Sequence, residues 1–211
     1  MGLFRSLIGR IGGVARQSVK SYRGPNPVIR ETGRNCLTAF QTFFYRKANP
    51  LQLGQRILKR EGEEAAVVSI DLADLASKPL LLHMGLKDDE YNAVLHVVKK
   101  GNNTFVVVAN ITKAICEDMP GPDLYVIPEG KYLSVGRSSQ TELTIPYRCS
   151  FLSISGEHLR IAFPADSQQI YIIDTSRNGS WLETVEGSTS RAEHADVIPL
   201  RIRPSDIGER A

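Results

Sequence analysis

From Tyr91 onward the chain alternates apolar and polar positions with a period of two, in short runs divided by polar turns. The runs NAVLHVVKK and TFVVVANI flank Gly101-Asn102-Asn103, which predicts a hairpin with a short turn. After a Pro/Gly loop from Met119 to Pro122 come DLYVIP, KYLSVGR, ELTIP, HLRIAF, QIYIID, GSWLE and VIPLRIRP. Many short strands with polar turns predict an antiparallel β-sandwich. Its recognition surface should be the loops gathered at one end. Trp181 and Tyr171 fall on strands and read as core or rim residues.

The first 64 residues follow a helical rhythm instead. At 100° per residue, Leu3, Phe4, Leu7, Ile8, Ile11 and Val14 share one arc, with Arg5, Arg16, Lys20 and Arg23 opposite. Gly9, Gly12 and Gly13 weaken this helix by ~1 kcal/mol each relative to Ala, so it needs a surface to fold on. Gly24-Pro25-Asn26-Pro27 ends it. Residues 34–47 predict a second helix, with Leu37, Phe40, Phe43 and Phe44 on one face. Asn49-Pro50 reads as an N-cap and first-turn proline opening a third helix, LQLGQRILKREGEE. Residues 65–90 read as a connector. The expected organisation is α+β: a basic helical region over 1–64, the connector, a sandwich over 91–204 and a tail over 205–211.

Charge sharpens that division. Residues 1–60 carry twelve Lys/Arg and one acid, Glu31, whereas residues 61–211 carry fourteen Lys/Arg and twenty-two acids. The sign flips near Arg60-Glu61-Gly62. A basic amphipathic helix suits an anionic membrane surface or a partner protein. Met1-Gly2 with Ser6 also fits an N-myristoylation pattern. Arg46, Lys47, Arg56, Lys59 and Arg60 offer non-specific electrostatic attraction to nucleic acid, but no helix-turn-helix pattern accompanies them, so specific nucleic-acid binding is not expected. Cys36, Cys116 and Cys149 are odd in number and far apart, which argues against a disulfide framework or a zinc site and for a reducing compartment. No apolar run reaches the ~20 residues of a membrane span, and Arg5 and Arg10 interrupt any signal-peptide pattern. The expected location is cytoplasmic, with the inner membrane face open to the basic end.

Candidate chemistry falls between the predicted strands, in three polar clusters. They are Gly136-Arg137, Ser155-Gly156-Glu157-His158 and Ser176-Arg177-Asn178-Gly179. Together they offer guanidinium groups, hydroxyls and a carboxamide, without an acid–base pair or metal-ligand spacing. That inventory suits holding a phosphate, since the Arg fork matches phosphate oxygens two at a time and Ser and Asn add single directional bonds. His83, His96, His158 and His194 show no spacing that pairs them with a Ser or Cys nucleophile, and no Gly-rich nucleotide loop is present. The expectation is a non-catalytic protein without cofactor or metal.

The order of these clusters resembles a forkhead-associated (FHA) domain. The matching features are a Gly-Arg pair closing a strand, S-x-x-H about eighteen residues on, and N-G-[ST] after a hydrophobic strand and an Asp. The resemblance implies that Arg137 and Ser155 grip a phosphate, with Arg177 and Asn178 along the bound peptide. Gly136, His158 and Gly179 would support the site, His158 by pinning the recognition loop from behind. It also implies a preference for phosphothreonine. The chain departs from the pattern at Gly156, where the family often has Arg, Asn or Ser, and at Glu183, where many members carry a second Asn. Residues 1–64 are faintly similar to the N-terminal module of bacterial FHA signalling proteins. The implied function is a phosphothreonine-peptide adaptor in Ser/Thr kinase signalling, anchored by its basic helices. The alternative is an assembly protein that uses a degenerate sandwich for phosphate-independent docking, with the basic helices as its main functional surface.

Overall fold

Period-two alternation becomes paired strands wherever the apolar set has a face to share. The structure, a computed structural model, describes residues 29–31, 33–35, 45–86, 89–110, 122, 124–146 and 152–185. Strand β7 (Asp89–Lys100) turns Tyr91, Ala93, Leu95 and Val97 to one face and Val94 and Val98 to the other. It pairs antiparallel with β8 (Asn103–Asn110) across a two-residue turn, where Gly101 takes φ +58°. The hairpin expected at this place is present.

In chain order the other strands are β1 (Ile29–Glu31), β2 (Arg34–Asn35), β3 (Asn49–Pro50), β4 (Arg56–Ile57), β5 (Ala66–Asp71), β6 (Leu80–Leu86), β9 (Leu124–Pro128), β10 (Lys131–Gly136), β11 (Leu143–Thr144), β12 (Leu159–Phe163), β13 (Gln169–Asp174) and β14 (Ser180–Thr184). One short helix, α1 (Leu72–Ser77), is described. One sheet has the order β1-β9-β8-β7-β6-β14-β4. The other runs β11-β10-β12-β13-β5-β3, with β2 also on β10. Most pairings are antiparallel, but β1–β9, β3–β5 and β10–β11 are parallel.

The sheets enclose one apolar core. Leu82, Met84, Leu95, Val106 and Ile127 come from the first sheet, and Leu133, Val135, Ile161, Ile170 and Ile172 from the second. Burying each such side chain contributes ~1.5–3 kcal/mol. Helix α1 connects β5 in one sheet to β6 in the other and buries Leu72 and Leu75 in the same core.

The basic helical N-terminal region is not what the described residues form. Arg34–Asn35, expected in the second helix, pairs with Lys131 and Tyr132 of β10. The third helix is replaced by extended chain: Asn49 and Pro50 pair in parallel with Val68 and Ser69 of β5. Pro50 is tolerated because β3 is an edge strand, where a missing N–H breaks no inner ladder. Gly54 follows at φ +72°, a left-handed turn that ends any helical run. Residues 65–90, read as a connector, supply β5, α1 and β6. Strand β5 joins the second sheet along the whole of β13, because AVVSID buries residues on both faces and needs neighbours on both. The amphipathic segment 3–14, Leu37, Phe40, Phe43, Phe44, the three cysteines and the strand expected at VIPLRIRP lie outside the described residues. Among the described residues, no helix is long and apolar enough to cross a membrane.

Candidate functional site

Strand β10 ends in a glycine because nothing larger fits. A Cβ on Gly136 would stand 2.1 Å from the Gly156 carbonyl oxygen and 2.9 Å from the Glu157 Cα. That approach lets the Arg137 N–H donate to the Ser155 carbonyl at 3.0 Å and the Ser138 N–H donate to the Gly156 carbonyl at 2.8 Å. The loops after β10 and before β12 are thus laced backbone to backbone. Thr141 closes the first loop, its buried hydroxyl donating to the Ser138 carbonyl at 2.7 Å. Arg137 is half-buried.

His158 locks the second loop from beneath. It is 0% exposed, and its backbone N–H donates to the Val135 carbonyl at 2.8 Å. The Ser155 N–H donates to Nδ1 at 3.1 Å, so Nδ1 carries no proton and the ring is the Nε2–H tautomer. That N–H donates to the Gly179 carbonyl at 3.3 Å. Burial holds the His158 pKa below its ordinary value and Arg56 adds to this, against opposing pulls from Asp174 and the Gly179 carbonyl.

The third loop, 175–179, is folded around a buried carboxylate. Asp174 is 1% exposed. Its Oδ1 accepts the Ser176 N–H at 2.8 Å and the Ser176 hydroxyl at 2.6 Å, and its Oδ2 accepts the Ser180 hydroxyl at 2.5 Å. The Gly179 N–H then donates to Ser176 Oγ at 2.8 Å. Gly179 takes φ +74° with the Ile57 carbonyl 2.6 Å from where a Cβ would be, so both conformation and space require glycine. From β4, Arg56 Nη1 donates to the Asn178 carbonyl at 2.5 Å and the Gly85 carbonyl at 2.9 Å. Its guanidinium lies 4.4 Å over the Trp181 ring, and His83 stacks on the same ring at 4.8 Å.

The three loops therefore meet at one end of the sandwich. The Arg177 N–H donates to Ser155 Oγ at 3.4 Å, and the Asn178 carboxamide donates to the Ser153 carbonyl at 2.7 Å. Arg177 is exposed, while Ser155 and Asn178 are half-buried. Gly156 is exposed, with nothing within 4 Å of where a Cβ would stand. Glu183 lies on β14, not in the loops, 3.6 Å from His83 Nε2. Chemically, the end offers guanidinium, hydroxyl and backbone N–H donors. Among the described residues no three His, Cys, Asp or Glu gather as a metal site.

Sequence reasoning gave Arg56, Ser153 and Asp174 no part in building the site. Asp174 two residues before Ser176 is a short-range signal for a side-chain-capped turn. Ser153 and Arg56 gave none, because their partners are 25 and 122 residues away in the chain.

A family model described as the FHA domain matches residues 133–200, which takes in all three loops. That segment is similar to the FHA domain; such domains are non-catalytic interaction modules that bind phosphothreonine-containing proteins. No curated protein and no solved structure matches the chain.

Proposed function

We propose that this FHA domain makes the protein a phosphothreonine-peptide-binding adaptor in Ser/Thr kinase signalling. One observation carries the reading: Ser155 is bonded to both neighbouring loops, its carbonyl to the Arg137 N–H and its hydroxyl to the Arg177 N–H. A single phosphate near Ser155 is then within the compass of residues from all three loops. Arg137 and Arg177 supply charge against the −1.5 to −2 of a phosphate, about the range for its second ionisation near neutral pH. The Ser155 hydroxyl supplies a directional donor, and Asn178 keeps a carboxamide oxygen and a second N–H for peptide backbone. Gly136, His158 and Gly179 hold these groups in place. The anchor expected over residues 1–64 carries no part of this reading, and its first 28 residues lie outside the described residues.

The test is binding of the full chain to a phosphothreonine peptide library, beside the unphosphorylated library and the Arg137→Ala variant. Binding that needs both the phosphate and Arg137 is expected. Equal binding of both libraries would replace this reading with phosphate-independent docking.

A further inference from the structure

The first sheet carries a second apolar cluster on the face turned away from the core. It is made by Val94 and Val98 of β7, Val107 and Ala109 of β8, and Leu124 and Val126 of β9. The strand register sets them in rows: Val94 beside Ala109 beside Leu124, and Val107 beside Val126. Val94, Val107, Leu124 and Val126 are each 1% exposed. Side chains on the outer face of a sheet reach that burial only beneath a further layer of chain. The described apolar side chains packed against the cluster, Leu81 and Phe105, belong to the same sheet. We infer that the covering layer is the chain's own amphipathic segment 3–14, which lays Leu3, Phe4, Leu7, Ile8, Ile11 and Val14 on this face and turns its basic side outward. The inference does not depend on the phosphopeptide reading.

The place where the chain enters the fold decides the occupant. Strand β1 pairs with β9 at the edge of the first sheet, so the chain preceding Ile29 arrives beside the cluster. The fourteen residues 15–28 reach up to ~46 Å when extended, more than enough to fold back over it. Sizes match as well. Strands β6 to β9 span ~14 Å at their usual spacing, and a twelve-residue helix is ~18 Å long.

Charge and dryness agree with this occupant. Glu31 of β1 is in register with Val126, and Glu183 of β14 with Leu81, so a carboxylate stands on each side of the apolar field. Arg10 borders the apolar arc of segment 3–14, and Arg5 lies beyond its other border. His96 lies between Val94 and Val98 on this face, and burial holds its pKa below the ordinary value. The other candidate segments fit less well. Residues 36–44 run from β2 to Tyr45, which packs on the outer face of the second sheet beside Tyr171. Residues 111–121 have Ile111, Ile115 and Met119 as large apolar residues, interrupted by Glu117, Asp118 and Pro120. Residues 186–211 leave from β14, across β6 from the cluster.

The experiment uses the full chain with photo-reactive p-benzoylphenylalanine in place of Phe4, and separately in place of Arg5 on the opposite side. Illumination of dilute protein, then mass spectrometry of the monomer, should link position 4 to β7, β8 or β9 and leave position 5 unlinked to them. Leu7→Asp with Ile11→Asp should abolish the link and lower the melting temperature by roughly 4–10 °C, the scale of losing two buried side chains. Wild type should not sediment with vesicles of phosphatidylcholine and phosphatidylglycerol. Links from position 4 that fall on the second sheet, or on another copy of the chain, would overturn the inference. An unchanged melting temperature in the double variant would overturn it too, and a fall in Ile115→Asp would then assign the cover to residues 111–121. Sedimentation of wild type with the vesicles, lost in the double variant, would give the apolar arc to a lipid surface instead.

Discussion

His158 Nδ1 accepts the Ser155 backbone N–H, so the geometry of the second loop depends on an imidazole that carries no proton at that nitrogen. Protonating the ring would convert this acceptor to a donor facing a donor. Burial already holds the His158 pKa below its usual 6.5. A group whose folded pKa is depressed binds its proton more readily unfolded, so its share of stability is complete above the unfolded value near 6.5. That share is lost as pH falls below 6.5 toward the folded value. The melting temperature of the free protein should therefore drop on acidification through this window. The check is a melting series from pH 7.5 to 5 on wild type and His158→Asn. Equal slopes in the two proteins would remove His158 as the cause. Ligand-free protein is the right sample, since a phosphate itself titrates near pH 6.

Gly136 gives a prediction about size alone. An added methyl meets backbone atoms of Gly156 and Glu157, which cannot swing aside as a side-chain tip can. Gly136→Ala should destabilise by about 1–3 kcal/mol, the range for forcing a methyl into a packed site. For a domain of this size that is roughly 2–4 °C per kcal/mol. The pushed-apart loops should also lose phosphopeptide affinity, beyond what the unfolded fraction explains. Calorimetry and a binding titration below the melting range separate the two effects, and a variant with unchanged melting temperature would contradict the close approach.

What could be read from the sequence was local. The strands β7 to β14 were legible as short apolar runs between polar turns, and the three polar clusters because each sits in one turn. The parallel pairing of β1 with β9 was not, since three residues, IRE, carry no alternation to read. Basic residues at 46–60 suggested a solvated or nucleic-acid face. Arg56 instead covers an indole and donates to two carbonyls, contacts that exist only after residues 29 and 122 positions away arrive. Pro50 misled for a related reason: an N-cap followed by proline and an edge strand begin alike, and the partner strand β5 decides between them. That the three polar clusters lie in loops was legible, and the backbone lacing between those loops was not.

Arg56 follows as the next prediction. It holds the carbonyl of Asn178, whose side chain crosses to Ser153. A hydrogen bond to a charged group contributes about 1.5–3 kcal/mol. Arg56→Ala should therefore loosen the third loop and weaken phosphopeptide binding by roughly tenfold, 1.4 kcal/mol being a factor of ten. Arg56→Lys restores a charge but not the planar group over Trp181, so partial recovery is expected. Backbone amide exchange at 176–179 should rise in Arg56→Ala before affinity is even measured. A tenfold loss without any change in exchange would mean that Arg56 acts on the ligand directly.

Gly156 points the other way, toward gain. The FHA resemblance places a polar side chain here, and the position is exposed, with open space where a Cβ would be. It is not among the glycines with positive φ, so a larger residue meets neither backbone strain nor a neighbour. Its carbonyl, which accepts the Ser138 N–H, is unaffected by a side chain. Gly156→Ser should add one hydrogen bond to a phosphate at Ser155, worth about 0.5–1.5 kcal/mol, and so raise phosphopeptide affinity by roughly twofold to tenfold. Loss of glycine freedom in the unfolded chain should add about 0.4–1 kcal/mol of stability. The decisive comparison is the affinity of Gly156→Ser for phosphorylated and unphosphorylated forms of one peptide. A gain confined to the phosphorylated form places position 156 beside the phosphate. A gain shared by both forms would locate the bound peptide at Gly156 but the phosphate elsewhere.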